Sequence, residues 1–142
     1  MKIGLLGTGA ISHMHARAYK NIGWKVTACS DINPEAGRKF AETYGCDYVA
    51  SLEDLAKHPE VQVVDACTFP DVRLQPVEAA ARYGKHVQVQ KPMSVDLATA
   101  RKMIDTAKAA GIVLNVVSQK RFDDSTIFVK KAIADGRLGK IL

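Results

Sequence analysis

The run Gly7-Thr8-Gly9-Ala10-Ile11-Ser12 leaves a short apolar segment and opens an amphipathic one, the setting a phosphate-binding turn needs. Gly7 permits a tight turn, and Gly9 lets the backbone approach a pyrophosphate. The N–H groups of Ala10, Ile11 and Ser12 at the following helix end meet its negative charge. Ser12 stands where a third glycine is often found, and a small side chain there still lets helix and sheet pack closely. Asp31 closes the second apolar run, 22 positions after Gly9, where a carboxylate can accept hydrogen bonds from an adenosine ribose. Together they point to a dinucleotide. NAD is preferred over NADP because the Asp31 carboxylate repels a 2′-phosphate and its neighbours Ile32 and Asn33 carry no cation; Arg38, a helical turn or more further on, keeps NADP open.

The second informative stretch is Gly84-Lys85-His86-Val87-Gln88-Val89-Gln90-Lys91-Pro92-Met93. It places Lys91 at the carboxyl end of a strand, beside the crevice where open α/β sheets bind ligands. A residue before proline is pushed toward extended geometry, and Lys91–Pro92 is a candidate cis bond that aims the lysine.

The other chemical residues carry less. His13 and His15 are two apart on a helix and share no face, so they form no metal pair, and surface or supporting roles are expected of them. His58 and His86 receive no catalytic role. Cys29, Cys46 and Cys67 are widely spaced with no C-x-x-C pair, which suggests neither a disulfide framework nor a zinc site, and no metal is expected.

These residues need a scaffold, and the pattern around them supplies one. Strand-like runs at Lys2 to Leu6, Lys25 to Ser30, Asp47 to Val49, Val61 to Ala66, His86 to Gln90 and Ile112 to Val117 alternate with amphipathic segments. Apolar stripes such as Ile11, Met14, Ala18 and Ile22, or Leu97, Ala100, Ile104 and Ala107, mark the helices. Asn33-Pro34, Ser51 with Asp54, and Ser94 with Asp96 read as helix starts, and Gly23, Gly45, Gly84, Gly111 and Gly136 as stops. The expectation is one α/β domain over residues 1–142: a doubly wound parallel sheet of about six strands, a Rossmann fold, in the order 3-2-1-4-5-6. A β-prone run opens at 136–142, so further chain is expected after it.

Composition narrows the alternatives. With 47% apolar and 25% charged residues, the 142-residue chain matches an ordinary globular domain. It contains no apolar run long enough to span a membrane and no signal peptide, which suggests a cytoplasmic location. The net charge of +5 is spread over isolated basic pairs rather than clustered, which argues against nucleic acid as a partner.

The glycine loop, Asp31, Thr68-Phe69-Pro70-Asp71, the Gly84-Lys85-His86-Val87 to Lys91-Pro92 stretch and Arg121-Phe122 together resemble the N-terminal domain of the Gfo/Idh/MocA oxidoreductases, over essentially the whole chain. The resemblance implies that Lys91 is the catalytic lysine, contacting a substrate hydroxyl of a sugar or polyol while a hydride passes to nicotinamide; an ammonium suits that developing alkoxide. It also implies cofactor contacts by Thr68, Phe69, Gln90 and Lys91, while Gln90 and Arg73 depart from the family's usual residues. Gln90 stands where the family usually has Glu, keeping an acceptor but losing the charge that holds the nicotinamide ribose. Arg73 stands in place of a usual His and is given no role. Arg121 could reach the substrate side. The family's C-terminal α+β domain, which supplies further catalytic residues and the homo-oligomer contacts of full-length forms, is absent from these residues. Alone, this unit should bind NAD and turn over poorly or not at all. The rival expectation is a non-catalytic nucleotide-sensing or interaction module on the same fold.

Overall fold

The computed structural model describes residues 1–141. Six parallel strands form one sheet: β1 (Lys2–Leu6), β2 (Lys25–Ser30), β3 (Asp47–Tyr48), β4 (Val63–Ala66), β5 (His86–Val89) and β6 (Leu114–Val116), in the order β3-β2-β1-β4-β5-β6. This is the doubly wound order expected from the sequence. The strands after the second are shorter than their apolar runs, because the flanking residues turn into loops once ladder partners end. Helices α1 (Ala10–Asn21), α2 (Pro34–Tyr44), α3 (Leu52–Lys57), α4 (Leu74–Arg82), α5 (Leu97–Ala109) and α6 (Asp124–Ala134) connect and extend the sheet. Beyond α6 the chain turns, and through Ile141 no strand forms; Leu142 lies outside the described residues.

Two apolar layers hold the sheet. On one face Leu55 of α3, Val77 and Ala80 of α4 and Met103 of α5 pack on Val64, Ala66, Val87 and Val89. On the other, Ala16 and Tyr19 of α1 and Phe40 and Ala41 of α2 pack on Ile3, Leu5, Val26 and Cys29. The register skips Thr27 opposite β1, and this bulge lets Val26 and Ala28 serve opposite layers.

Local chemistry sets the helix ends. Asn33 accepts from the Glu35 and Ala36 N–H groups ahead of Pro34, and Ser51 accepts from Asp54 N–H. At α5 the cap is Asp96, which accepts from Thr99 N–H at 2.8 Å, rather than Ser94. All five glycines read as stops adopt positive φ.

The apolar stripe read on α1 is not its buried face. Ile11, Met14 and Ile22 are exposed, whereas Ser12, Ala16 and Tyr19 are buried. The buried positions go to Ser12 and Ala16, which are small, and to Tyr19, whose hydroxyl bonds the buried Asp65. Leu97 and Ile104 of α5 are likewise exposed, and Met103 and Ala107 face the core.

Candidate functional site

The carboxyl ends of β1, β2, β4 and β5 define one edge of the sheet, and the order reverses direction between β1 and β4. That switch point opens a crevice. Gly7 N–H reaches Ser30 O at 2.8 Å and Cys67 N–H reaches Leu6 O at 2.9 Å, so the glycine loop springs from the middle of this edge. Gly7 has φ +83°, and a Cβ there would lie 3.1 Å from the Cys67 carbonyl oxygen; only glycine enters this turn without strain. Gly9 precedes α1, and a Cβ on it would meet nothing within 4 Å, so the backbone is open on that side. No side chain caps α1, which leaves its first N–H groups without a side-chain acceptor. Ser12, fully buried, donates its hydroxyl to Gly7 O and closes the loop on the helix.

Asp31 follows β2. Its Oδ2 accepts from Thr8 N–H at 2.6 Å and Thr8 Oγ1 at 2.7 Å, and its Oδ1 accepts from Asn33 N–H at 2.8 Å. Partial burial works against the charge, but the bonds from Asn33 and Thr8 outweigh it and hold the carboxyl below its ordinary value. Gly37 lets α2 approach: a Cβ there would lie 2.5 Å from the Tyr48 ring and 3.5 Å from Asp31 Cβ. Arg38 stacks over Tyr48, its guanidinium 5.4 Å from the ring centre.

Across the crevice, Thr68 follows β4, and its buried hydroxyl has no hydrogen-bond partner among the described residues. A buried polar atom without a partner calls for a ligand or water. Phe69 beside it is 81% exposed. Lys91 sits after β5, joined to Pro92 by a cis bond. Its side chain is exposed and makes no hydrogen bond or ion pair among the described residues.

Arg73, to which sequence reasoning gave no role, is 4% exposed and ties the two sides together. Its Nε and Nη2 donate to Thr68 O at 3.0 and 2.6 Å, and its Nη1 donates to Gln90 O and Pro92 O. The rigid fork of the guanidinium suits such a clamp. A buried arginine is a signal no pattern of apolar residues reveals.

His15 also proves central. Its Nδ1 lies 2.6 Å from Asp65 Oδ2 and its Nε2 2.7 Å from Gln90 Nε2. Asp65, fully buried on β4, also accepts from Tyr19 OH at 2.7 Å. Burial and the Asp65 carboxylate push the Tyr19 phenol and the Cys67 thiol upward, so both stay protonated donors. His15, Asp65 and Cys67 have ligand atoms within 4.8 Å of one another. A tetrahedral ion with bonds of about 2.0 Å needs donors roughly 3.3 Å apart, so the 2.6 Å His15–Asp65 spacing is that of a hydrogen bond.

Arg121 lies in the turn Gln119–Phe122 after β6, exposed and without an ion pair among the described residues. Below it a groove of about 340 Å³ is lined by His15, Tyr19, Gln88, Asn115, Ser118 and Phe122. A depression of about 400 Å³ near Met1, Gln62 and His86 lies at the opposite sheet edge and shares no residue with the site. Among the described residues, no helix is long and apolar enough to cross a membrane.

The fold has counterparts among known proteins. Residues 1–118 match the family model GFO_IDH_MocA, described as an oxidoreductase family with an NAD-binding Rossmann fold. The chain is 32% identical to an inositol 2-dehydrogenase of Rhizobium meliloti, over 99% of this chain and 43% of that protein. It is also 32% identical to a myo-inositol 2-dehydrogenase of Thermotoga maritima, over 99% of this chain and 42% of that protein. The WlbA dehydrogenase of Bordetella pertussis, solved with NADH and UDP-GlcNAcA, superposes with a TM-score of 0.93 at 30% identity, over 99% of this chain and 43% of that one. The chain therefore spans less than half the length of these relatives. Matched by that family's model over residues 1–118 and folded as a six-stranded doubly wound sheet, the chain belongs to the Gfo/Idh/MocA oxidoreductase family, as its NAD-binding Rossmann domain.

Proposed function

We propose that this chain is the cofactor-binding part of an NAD-dependent oxidoreductase acting on a hydroxyl of a sugar, polyol or related small molecule. The observation that carries the reading is the anchoring of Thr8 by Asp31, which holds the glycine loop open beside the uncapped end of α1, on the same sheet edge as Lys91. The unpartnered Thr68 hydroxyl and the open backbone at Gly9 fit a bound dinucleotide. The relatives named for inositol, and the one solved with a nucleotide sugar, support the substrate class.

When bound, NAD supplies a nicotinamide ring that takes up a hydride. Gly7 and Gly9 let the backbone approach the pyrophosphate, and the N–H groups of Ala10, Ile11 and Ser12 face it. An ionised carboxylate has about four acceptor sites, and Thr8 and Asn33 leave one of Asp31 for a ribose hydroxyl. That negative charge disfavours a 2′-phosphate, and Arg38, held over Tyr48, is the residue through which NADP would be accommodated. Phe69 offers an apolar surface near the adenine or pyrophosphate. Gln90 faces the nicotinamide side, and the Lys91 ammonium donates a hydrogen bond to the substrate oxygen and stabilises the negative charge that develops on it. Arg121 lies on the substrate side.

The test is a turnover assay with NAD on the longest natural polypeptide that carries this chain, using polyols and nucleotide sugars as substrates. Lys91→Ala should lower kcat by roughly 10²-fold or more with NADH affinity nearly intact. Cofactor binding with no turnover on any hydroxyl substrate would favour the rival, a nucleotide sensor.

A further inference from the structure

We propose that His15 is a positioning residue for the site. Held by Asp65 with its single ring proton on Nδ1, it accepts a hydrogen bond on Nε2 from the Gln90 side chain and so fixes the residue beside Lys91. The proposal rests on the reading of Gln90 and Lys91 given above.

The proton assignment follows from the partners. Asp65 Oδ2 already receives Tyr19 OH at 2.7 Å and can only accept, so the ring nitrogen 2.6 Å away carries a proton. Lys91 N–H donates to Gln90 Oε1 at 3.3 Å, which turns the Gln90 amide nitrogen toward His15. That nitrogen lies 2.7 Å from His15 Nε2. An amide NH₂ only donates, so Nε2 must present its lone pair. Reversing the amide would set its NH₂ against the Lys91 N–H and its oxygen against the Nε2 lone pair, and would demand a second ring proton. The result is one directional chain from the Lys91 backbone through Gln90 and His15 to Asp65. Tyr19, whose OH also accepts from Gln88 Nε2 at 2.7 Å, closes it from below. The charged or titratable groups around it are Asp65 on β4, Cys67 with Sγ 3.6 Å from His15 Nδ1, Tyr19 on α1, the Arg73 guanidinium on the Gln90 carbonyl, and Lys91 itself.

Glu at position 90 would change the proton count of this chain of hydrogen bonds. A carboxylate there could only accept, so it would require a second ring proton and make His15 a cation between two acids. With Gln, these hydrogen bonds call for one ring proton only, and one N–H and one lone pair of the amide remain for a ligand. The network thus offers a hydrogen-bond donor where a Glu would offer acceptors alone.

The test reads the His15 ring directly, by long-range ¹H–¹⁵N correlation spectra of this chain at pH 7.5. The expected result is a protonated Nδ1 and a bare Nε2, with Gln90→Glu moving both ring nitrogens to the doubly protonated range. A proton on Nε2 in the unaltered chain, or an unchanged ring in Gln90→Glu, overturns the proposal. A second arm measures NADH affinity in His15→Asn, which keeps a donor near Asp65 but removes Nε2, in Gln90→Ala, and in the double variant. Each single change should weaken binding about fivefold and the pair no further; losses that multiply overturn it. Absence of NADH binding by the unaltered chain would overturn the cofactor reading instead, and the ring spectrum would still decide whether His15 holds Gln90.

Discussion

Thr8 gives both its backbone N–H and its hydroxyl to one oxygen of Asp31, at 2.6 and 2.7 Å. The glycine turn after β1 and the acid after β2 are therefore one structural unit, and Thr8, 6% exposed, is its hinge pin. Charge-assisted hydrogen bonds of this kind are short and about twice as strong as neutral ones. Asp31 shapes the loop before any ligand arrives.

The first consequence is a pH dependence. Burial disfavours the Asp31 charge, but the Asn33 and Thr8 bonds win and depress its folded-state value. A depressed acid adds stability above its unfolded value of about 3.9, and that stability is lost as pH falls through the lower, folded value. Carboxyl ¹³C titration should find Asp31 ionised to lower pH than an ordinary aspartate, and Thr8→Ala should raise its midpoint. An identical titration in the variant would show that the Thr8 bonds do not hold the charge.

The two loop glycines should separate stability from binding. Gly7→Ala forces a side chain into φ +83° with Cβ 3.1 Å from Cys67 O, at a cost of about 1–3 kcal/mol. Gly9→Ala has ordinary φ and an open Cβ position, so denaturant midpoints should barely move while cofactor affinity drops. Equal loss of stability in both would contradict the geometry.

Tyr19→Phe removes one donor from the buried Asp65 carboxylate, and a hydrogen bond to a charged group is worth about 1.5–3 kcal/mol. Urea unfolding should show a loss of that size, where an ordinary surface Tyr→Phe change would show almost none.

Arg73→Met keeps the apolar stem but leaves the carbonyls of Thr68, Gln90 and Pro92 without their shared donor. Stability should fall by about 2–4 kcal/mol, since each buried acceptor left unpaired costs about 1–3 kcal/mol and water can reach some of them. Arg73→Lys should rescue little, because one ammonium cannot span the fork.

The fold was legible because its signals are local. Glycine loop, strand runs, the Asn33 and Ser51 caps and the glycine stops each act over a few residues, and together they fix six strands in the doubly wound order. The α1 stripe misled because counting apolar residues favours Ile11, Met14 and Ile22, whereas the interface with β1 and β4 takes Ser12, Ala16 and Tyr19 for their size and hydrogen bonds. β5 shows the same limit. Val87 and Val89 enter the core, but the alternate residues Gln88 and Gln90 join a polar network, with Gln88 in register between Asp65 and Asn115. Arg73 and His15 act through carbonyls and amides distant in sequence, and no spacing rule joins residues 73 and 90 or 15 and 65.

The central claim, that the glycine loop and Asp31 form an NAD site, is tested most directly by titrating NADH and NADPH fluorescence against this chain and against Asp31→Ala. The expected result is saturable binding with NADH clearly favoured, and a variant in which NADH weakens by roughly tenfold, about 1.4 kcal/mol, and the preference for it disappears. Equal, weak responses to both cofactors in the unaltered chain, unchanged by the substitution, would contradict it.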